Sequence, residues 1–158
     1  MKNINKNKKI RIAVVGCGRI SKNHFDSIKT HEDNLELVSV CDTNQEIMSK
    51  HKEQYNVAGY TDLEKMLGSE NLDLVAICTP SGIHADQTKI CARHGVNVMT
   101  EKPMATRWDD GLRMVKACDD AGVRLFVVKQ NRFNDTLKLL KRAIEENRFG
   151  KIFFYSTF

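Results

Sequence analysis

The sequence predicts an α/β fold with a doubly wound parallel sheet, and two patterns carry this prediction. Short β-branched runs alternate with longer segments of helical periodicity, which is the order of βαβ units. Runs such as IAVV and LVAIC are apolar without period-two alternation, as in strands covered by helices on both faces. Right-handed crossovers then place helices on both sides of the sheet. The predicted strands cover residues 10–15, 35–41, 72–78, 96–100 and 123–128.

The segments between these strands carry helix signals. In TDLE, Thr61 is placed to cap a helix and Glu64 to reach back to it. Between 107 and 121, apolar residues recur every three or four positions from Trp108 onward, and the AGV that follows ends the helix. This periodicity predicts that Trp108 packs between the helix and the sheet.

Length, composition and charge favour one main domain and argue against nucleic-acid binding. With 158 residues and 41% apolar content, the chain can build one domain with a real core, whereas two full domains would be cramped. The net charge of +5 is concentrated in the opening MKNINKNKK, so residues 1–8 are expected to form a disordered basic N-terminus. Elsewhere Lys and Arg are spread among acids, which predicts no nucleic-acid surface.

The cysteines and the apolar runs indicate a cytoplasmic location. Five cysteines, an odd number without C-x-x-C spacing, are expected to be free thiols, most of them buried. No run approaches the roughly 20 apolar residues of a membrane span. The first apolar run is interrupted by Arg11, so it is not a secretory signal. We therefore expect a cytoplasmic protein with no membrane contact and no metal site.

A glycine-rich turn follows the first strand. GCGRIS places Gly16 and Gly18 before a helix, with Ser21 where the third glycine of the dinucleotide fingerprint often lies. Gly16 permits the tight turn, and Gly18 lets a pyrophosphate approach the helix N-terminus, where N–H groups and the helix dipole favour negative charge. Glycines in an ordinary turn are the alternative. The position of the motif in the first βαβ unit indicates a Rossmann-type domain.

The second strand ends in an acid, Asp42, which lies 24 residues after Gly18. A carboxylate at this position accepts hydrogen bonds from the adenosine ribose diol and repels a 2′-phosphate, so the predicted cofactor is NAD rather than NADP. The alternative is that Asp42 caps the following helix, although Thr43 can fill that role.

The strand over 72–78 runs into TPSGIHA at the carboxyl edge of the sheet, where open α/β folds bind ligands. Thr79, Pro80 and Ser81 are expected to form a turn there, and Pro80 stops the strand. His84 falls near the start of the next helix, where it is either a ligand-facing donor or an ordinary helix-start histidine.

TEKP ends the neighbouring strand at the same edge. Because side chains alternate along a strand, Glu101 and Lys102 point in opposite directions, so one can face the cofactor and the other the substrate. An ammonium near a reacting hydroxyl can act as a general acid–base or stabilise a developing alkoxide. A solvated strand-end pair without chemistry is the alternative. His24, midway along the first helix, is expected to be a packed structural residue.

GCGRIS, the acid ending the second strand, TPSGIHA and EKPMA, in this order, resemble the NAD(P)-dependent sugar oxidoreductases of the glucose-fructose oxidoreductase / inositol dehydrogenase / rhizopine-catabolism (Gfo/Idh/MocA) family. The resemblance spans about residues 9–158. The segment from EKPMA to GKI is further similar to the family's UDP-N-acetyl-2-amino-2-deoxyglucuronate 3-dehydrogenases (WlbA/WbpB type), and VVKQNRFN is its most specific piece. The resemblance implies oxidation of the sugar C3 hydroxyl with hydride transfer to NAD, in bacterial surface-polysaccharide (O-antigen) synthesis.

The resemblance also implies roles for individual residues. Lys102 matches the catalytic lysine of EKP, which contacts the cofactor ribose and the reacting hydroxyl of the substrate. Glu101 helps hold the nicotinamide side, and Gln130 and Asn131 would lie near the nicotinamide and the sugar respectively. The full cofactor set is expected to be Gly16, Gly18, Arg19, Ile20, Asp42, Thr79, Pro80, Ser81, His84, Glu101, Lys102 and Gln130.

The last segment implies a second domain. Residues 9–132 are expected to form the NAD-binding Rossmann domain, and 133–158 to supply a helix and a first strand leading into an α+β domain that this chain lacks. In the family that domain carries a catalytic histidine and the interface of a homo-oligomer, a tetramer. The chain alone is therefore expected to bind NAD(H) but to turn over little UDP-sugar. A non-catalytic dinucleotide-binding module, or a family dehydrogenase for another sugar or inositol, are the alternatives.

Overall fold

The computed structural model describes residues 8–153, and its main feature is a six-stranded parallel sheet. The strands are β1 (Ile10–Val15), β2 (Leu35–Cys41), β3 (Ala58–Tyr60), β4 (Leu74–Ile77), β5 (Asn97–Thr100) and β6 (Leu125–Val127). They lie in the order β3-β2-β1-β4-β5-β6, and every adjacent pair is parallel. The strand order reverses between β1 and β4, which is the topological switch point where such sheets bind ligands.

Helices connect successive strands, and one further helix follows β6. They are α1 (Ser21–Thr30), α2 (Gln45–Tyr55), α3 (Leu63–Ser69), α4 (His84–Arg93), α5 (Trp108–Asp120) and α6 (Asp135–Glu145), with 3₁₀ turns at Ser81–Ile83 and Gln130–Phe133. The boundary between two compact units falls between Val128 and Lys129, so α6 belongs to the second unit. None of the helices within 8–153 has the length and apolar content needed to cross a membrane.

Two apolar clusters cover the two faces of the sheet. Along β1, Ala13 and Val15 enter one cluster, while Ile12 and Val14 enter the other. Strand β4 divides in the same way, since Ile77 joins the first cluster and Ala76 the second. The central strands are thus buried on both faces, and the predicted doubly wound α/β fold is confirmed.

Strand β3 and the cap of α3 differ from the sequence prediction. Strand β3 was not among the predicted strands, because three residues around a glycine carry no apolar pattern. The cap of α3 is Asp62, whose Oδ1 accepts a hydrogen bond from Lys65 N at 2.8 Å, so the prediction of Thr61 was wrong by one residue.

The prediction that Trp108 packs against the sheet is wrong, since this residue is 78% exposed. The buried side of α5 instead carries Met114 and Cys118. On the same side, a Cβ added to Gly111 would lie 3.8 Å from Met104 Cε, so the segment after EKP packs there. Because successive helical residues are about 100° apart, this placement turns Trp108 to the flank of the helix.

The terminal predictions fall largely outside the described residues. Of the predicted disordered segment 1–8, only Lys8 is described. The strand predicted in KIFFYSTF overlaps the description only at Lys151, Ile152 and Phe153, which are not in a strand. The predicted domain bounds at 132 and 133 stay predictions.

All five cysteines are free and buried, as predicted. Burial raises the pKa of the Cys17, Cys41, Cys78 and Cys91 thiols from an ordinary value of 9.0 to about 12, and neighbouring negative charge, such as Asp42 beside Cys17, adds to the effect. These thiols therefore stay protonated at neutral pH and are poor nucleophiles.

The raised thiol pKa predicts a loss of stability at alkaline pH. Between about pH 9 and 12 the unfolded chain releases thiol protons that the folded chain keeps, so the free energy of unfolding is highest below pH 9 and falls through this range. Denaturant unfolding at several pH values measures the slope. A Cys91→Ala variant should show a shallower slope above pH 9, and an identical slope would contradict the prediction.

Candidate functional site

The predicted site residues of the first unit lie in loops at one edge of the sheet. The loops follow β1, β2, β4 and β5, and parallel strands present their carboxyl ends on the same side. These loops flank the switch point between β1 and β4. The topology therefore places the glycine turn, Asp42, the TPS turn and EKP along one crevice.

Gly16 is fixed between the ends of two neighbouring strands. Its φ of +85° belongs to the left-handed region, and its N–H donates to Cys41 O at 2.8 Å. A Cβ at this position would lie 2.8 Å from the carbonyl carbon of Cys78 and 2.8 Å from Thr79 N. Only glycine fits here, and the glycine turn lies directly against the TPS turn.

Gly18 serves a different purpose from Gly16, because it borders open space. It is exposed, and a Cβ built on it would meet nothing within 4 Å. No contact within the folded chain therefore requires glycine at this position. A group that approaches the backbone closely from outside would require it, as a pyrophosphate does in dinucleotide-binding turns.

The N-terminus of α1 faces this turn, and no side chain of the helix pairs with its free N–H groups or offsets the positive end of its dipole. The capping residue, Ile20, makes no side-chain cap bond, and the first turn carries no acidic residue. Ser21 is fully buried, and its hydroxyl donates to Gly18 O at 2.6 Å, so serine replaces the third glycine without an unpaired group. Arg19 is exposed and Ile20 partly buried in the same turn. The turn thus fits a bound phosphate.

Asp42 ties the glycine turn to the loop after β2. Its Oδ2 accepts a hydrogen bond from Cys17 N at 2.8 Å, and its Oδ1 accepts one from Asn44 N at 2.8 Å. The carboxylate is only partly buried, and its remaining lone pairs can accept from ribose hydroxyls. The helix-cap alternative is wrong for both Asp42 and Thr43, because Asn44 caps α2 through Glu46 N and Ile47 N.

The TPS turn closes the crevice beside Gly16. Thr79 is partly buried, and its hydroxyl bonds Gln87 Oε1 at 2.5 Å. Pro80 is exposed, and Ser81 opens the 3₁₀ turn that leads into α4. These three residues therefore form the predicted turn at the sheet edge. Their contact with a cofactor stays a prediction.

His84 is buried completely and does not present its ring to a ligand. Its Nε2 lies 2.8 Å from Thr79 O and must donate the proton, since a carbonyl only accepts. Its Nδ1 lies 2.9 Å from Thr100 Oγ1 and 3.2 Å from Pro103 O. His84 therefore joins the TPS turn to the EKP segment from inside. The structure corrects the expectation of a direct cofactor contact by this residue.

Glu101 and Lys102 do not pair with each other through their charges. Glu101 is buried at the end of β5, where its N–H donates to Ile77 O at 3.0 Å. Lys102 is exposed, and its ammonium makes no ion pair with residues 8–128. The alternative of a solvated strand-end pair is therefore wrong for Glu101. The absence of a salt bridge between the two side chains is as expected, and the facing of one toward the cofactor and the other toward the substrate stays a prediction.

Sequence reasoning missed the partner of Glu101. His24 Nε2 lies 2.8 Å from Glu101 Oε1, and both side chains are nearly buried, with 12% and 9% of their surface exposed. His24 is packed, as predicted, but it also binds a site residue. No local pattern signals this contact, because 77 positions separate the two residues.

Gln130 and Asn131 lie in the 3₁₀ turn Gln130–Phe133 of the second unit, where both are exposed. Both residues follow β6, which ends at Val127. Their proximity to the nicotinamide and the sugar stays a prediction. Among residues 8–153, no cluster of three or more His, Cys, Asp or Glu side chains is placed to hold a metal ion.

Comparison with protein families identifies the domain. The profile of the GFO_IDH_MocA oxidoreductase family, described as an NAD-binding Rossmann fold, matches residues 10–129. The chain belongs to the Gfo/Idh/MocA oxidoreductase family. This family membership confirms the resemblance carried by GCGRIS, TPSGIHA and EKPMA.

Several family members are similar to this chain over most of its length. The WlbA dehydrogenase from Bordetella pertussis, solved in complex with NADH and UDP-GlcNAcA, has 54% identity and a TM-score of 0.91 over 92% of the chain. The WlbA dehydrogenase from Chromobacterium violaceum, in complex with the same two ligands, has 51% identity and a TM-score of 0.91 over 94% of the chain. Myo-inositol 2-dehydrogenase from Thermotoga maritima is 31% identical over 90% of the chain.

The chain spans less than half the length of these relatives. It covers 45% of the Bordetella chain, 43% of the Chromobacterium chain and 42% of the Thermotoga enzyme. The comparison therefore concerns the dinucleotide-binding part of each relative.

Proposed function

We propose that this chain is the NAD-binding part of a nucleotide-sugar dehydrogenase that oxidises the C3 hydroxyl of UDP-GlcNAcA with hydride transfer to NAD. The observation that carries the proposal is the crevice in which the open face of Gly18, the Asp42 carboxylate and Lys102 lie at one sheet edge. The 54% and 51% identity to the two WlbA dehydrogenases supports the choice of sugar, against 31% for the myo-inositol enzyme.

Each part of the crevice has a role in this mechanism. The N–H groups at the start of α1 would hold the pyrophosphate over Gly18, and Asp42 would accept hydrogen bonds from the adenosine ribose. Bound NAD supplies the hydride acceptor. The Lys102 ammonium would hold the C3 oxygen and stabilise the negative charge that develops there as a base takes the hydroxyl proton. The resemblance implies that this base is the catalytic histidine of the family's second domain. Because the Lys102 side chain is exposed, other residues must keep water away from the reacting C3 hydroxyl.

The wider role follows from the same proposal. We infer that the protein acts in the bacterial cytoplasm, in synthesis of surface polysaccharide such as lipopolysaccharide, and that its full-length form is a homo-oligomer, a tetramer by resemblance. Gln130 and Asn131 would add contacts to nicotinamide and sugar.

Two assays test the proposal. Calorimetry on the chain should show NADH binding with a micromolar or lower dissociation constant, and the absence of binding would refute the cofactor role. A chimera in which the chain replaces the matching part of the Bordetella enzyme should reduce NAD with UDP-GlcNAcA as substrate. A chimera active only with inositol or a free aldose would overturn the choice of substrate and leave the cofactor role intact.

Asp42 is expected to set the cofactor preference. The wild-type chain should bind NADH more tightly than NADPH, because the carboxylate repels a 2′-phosphate. Asp42→Asn keeps an oxygen for the Cys17 N–H and removes the charge, so NADH affinity should fall about tenfold and the discrimination against NADPH should shrink. Calorimetric titration of both chains with both cofactors measures this. Equal affinity of the wild-type chain for NADH and NADPH would refute the role of Asp42.

A further inference from the structure

We propose that His24 is a positioning residue that holds the Glu101 carboxylate, and with it the backbone of Lys102, at the nicotinamide end of the bound dinucleotide. This inference rests on the proposed function, because it concerns the same crevice. It gives a role toward the cofactor to a histidine that the sequence presents as ordinary helix packing.

The hydrogen bond between His24 and Glu101 spans the topological switch point. His24 lies on α1, which follows β1, and Glu101 follows β5. The strand order β3-β2-β1-β4-β5-β6 reverses between β1 and β4, so the two residues come from opposite halves of the sheet. The contact, 2.8 Å from Nε2 to Oε1, therefore joins the helix that begins at the glycine turn to the EKP segment.

Burial makes this contact necessary for Glu101. A carboxylate removed from water needs hydrogen-bond donors for its charged form. Within residues 8–128, Oε1 receives the His24 Nε2 donor and Oε2 receives the backbone N–H of Lys102 at 3.2 Å. No ammonium or guanidinium of these residues pairs with Glu101. The imidazole is thus the side chain that fixes the direction of the carboxylate.

The topology identifies which end of the dinucleotide this pair serves. Asp42 lies at the end of β2, on one side of the glycine turn, and marks the adenosine half. Glu101 and Lys102 lie at the end of β5, on the other side of that turn. A dinucleotide bound across the switch point with its pyrophosphate at α1 therefore extends its nicotinamide half toward β5.

The hydrogen bond from Lys102 N–H to Glu101 Oε2 indicates that His24 positions a site residue rather than only filling space in the core. Because the Lys102 N–H donates to the same carboxylate that His24 holds, the imidazole adds a fixed hydrogen-bond acceptor for the backbone of the candidate catalytic residue. Loss of the imidazole donor would leave a buried carboxylate free to turn, and the Lys102 N–H would lose its fixed acceptor. The adenosine and pyrophosphate contacts at Asp42 and Gly18 do not involve this pair.

The test compares ligands with and without the nicotinamide group. NAD+ and ADP-ribose share the adenosine, the pyrophosphate and the second ribose, so their affinities differ only through nicotinamide contacts. In His24→Leu, which fills the space without a donor, NAD+ affinity should fall by at least about tenfold while ADP-ribose affinity changes less than about twofold. His24→Gln, which restores an N–H donor, should recover most of the loss. His31→Leu, an exposed histidine at the end of the same helix, is the matched control and should change neither affinity.

Each other outcome has a defined meaning. Equal losses of NAD+ and ADP-ribose affinity in His24→Leu, or no loss at all, would overturn the positioning role. Equal affinity of the wild-type chain for the two ligands would overturn the placement of Glu101 at the nicotinamide end. If the wild-type chain binds neither ligand, the proposed function itself fails.

A measurement on the wild-type chain covers the case in which His24→Leu does not fold. NMR of ¹⁵N-labelled histidine side chains should show the His24 ring signals shifting when NAD+ is added and staying unchanged with ADP-ribose. Shifts of equal size with both ligands, or with neither while both bind, would overturn the inference.

Discussion

A Lys102→Met substitution is expected to reduce turnover of UDP-GlcNAcA by about 100-fold or more in the chimera with the Bordetella enzyme, since the ammonium is the candidate group for the developing alkoxide. The thermal midpoint of the chain should stay within a few degrees of wild type. The Lys102 side chain is exposed and makes no ion pair within residues 8–128, so the fold loses little when the charge is removed. Methionine preserves the aliphatic stem.

The measurement is the rate of NADH formation at saturating NAD and UDP-GlcNAcA, compared with NADH affinity by calorimetry. A fall in turnover with NADH affinity reduced by less than about tenfold indicates a role in the chemical step. Lys116→Met is the matched control, because Lys116 is an exposed lysine on α5 whose only described partner is Asp120. A Lys102→Met chimera with full activity would remove Lys102 from the catalytic assignment.

The sequence predicted the strands that are buried on both faces, because only a sheet covered by helices on both sides explains their apolar pattern. Strands β1 and β4 are apolar on both faces, so their runs have no polar interruption and point to a parallel sheet. Strand β3 pairs with the sheet only through β2, at an edge, and its AGY sequence carries no such pattern. The Trp108 error has a related cause, since helical spacing gives the separation of apolar residues but not which flank of the helix meets the sheet.

The helix caps illustrate a second limit. Asn44 and Asp62 cap α2 and α3, whereas the residue before each, Thr43 or Thr61, is equally able to cap by its chemistry. The choice depends on which backbone takes the extended conformation before the helix, as at Asp62 with φ −132° and ψ 127°. The local sequence does not show which of the two neighbouring residues takes that conformation.

The sequence predicted where the candidate site lies, but not the hydrogen bonds that its residues make. Parallel strands end at one edge, so the order of GCGRIS, Asp42, TPSGIHA and EKP along the chain places them together. The roles of His24 and His84 depend on contacts across long stretches of sequence, such as the 77 positions between His24 and Glu101. In the sequence, His24 appears as an ordinary helix residue and His84 as either a ligand-facing donor or a helix-start histidine. Only burial and hydrogen-bond partners reveal what each one does.

Replacing Gly18 in the glycine turn is the second change expected to have a large effect on NADH binding. Gly18→Val should reduce NADH affinity by about 30-fold or more, equivalent to about 2 kcal/mol, because a side chain would keep the pyrophosphate from the N–H groups at the start of α1. The thermal midpoint should barely change, since a Cβ at Gly18 meets nothing within 4 Å. Calorimetric titration with NADH and thermal unfolding measure the two effects separately.

Gly16→Ala is the matched variant with the opposite expectation. Its Cβ would lie 2.8 Å from backbone atoms of Cys78 and Thr79, at a φ of +85°, so the free energy of unfolding should fall by about 1–3 kcal/mol even without ligand. Because the two glycines lie two residues apart, the contrast separates a residue required by the fold from one required by the ligand. If Gly18→Val instead lowered the thermal midpoint as much as Gly16→Ala and left NADH affinity unchanged, the open face of Gly18 would not be the pyrophosphate position.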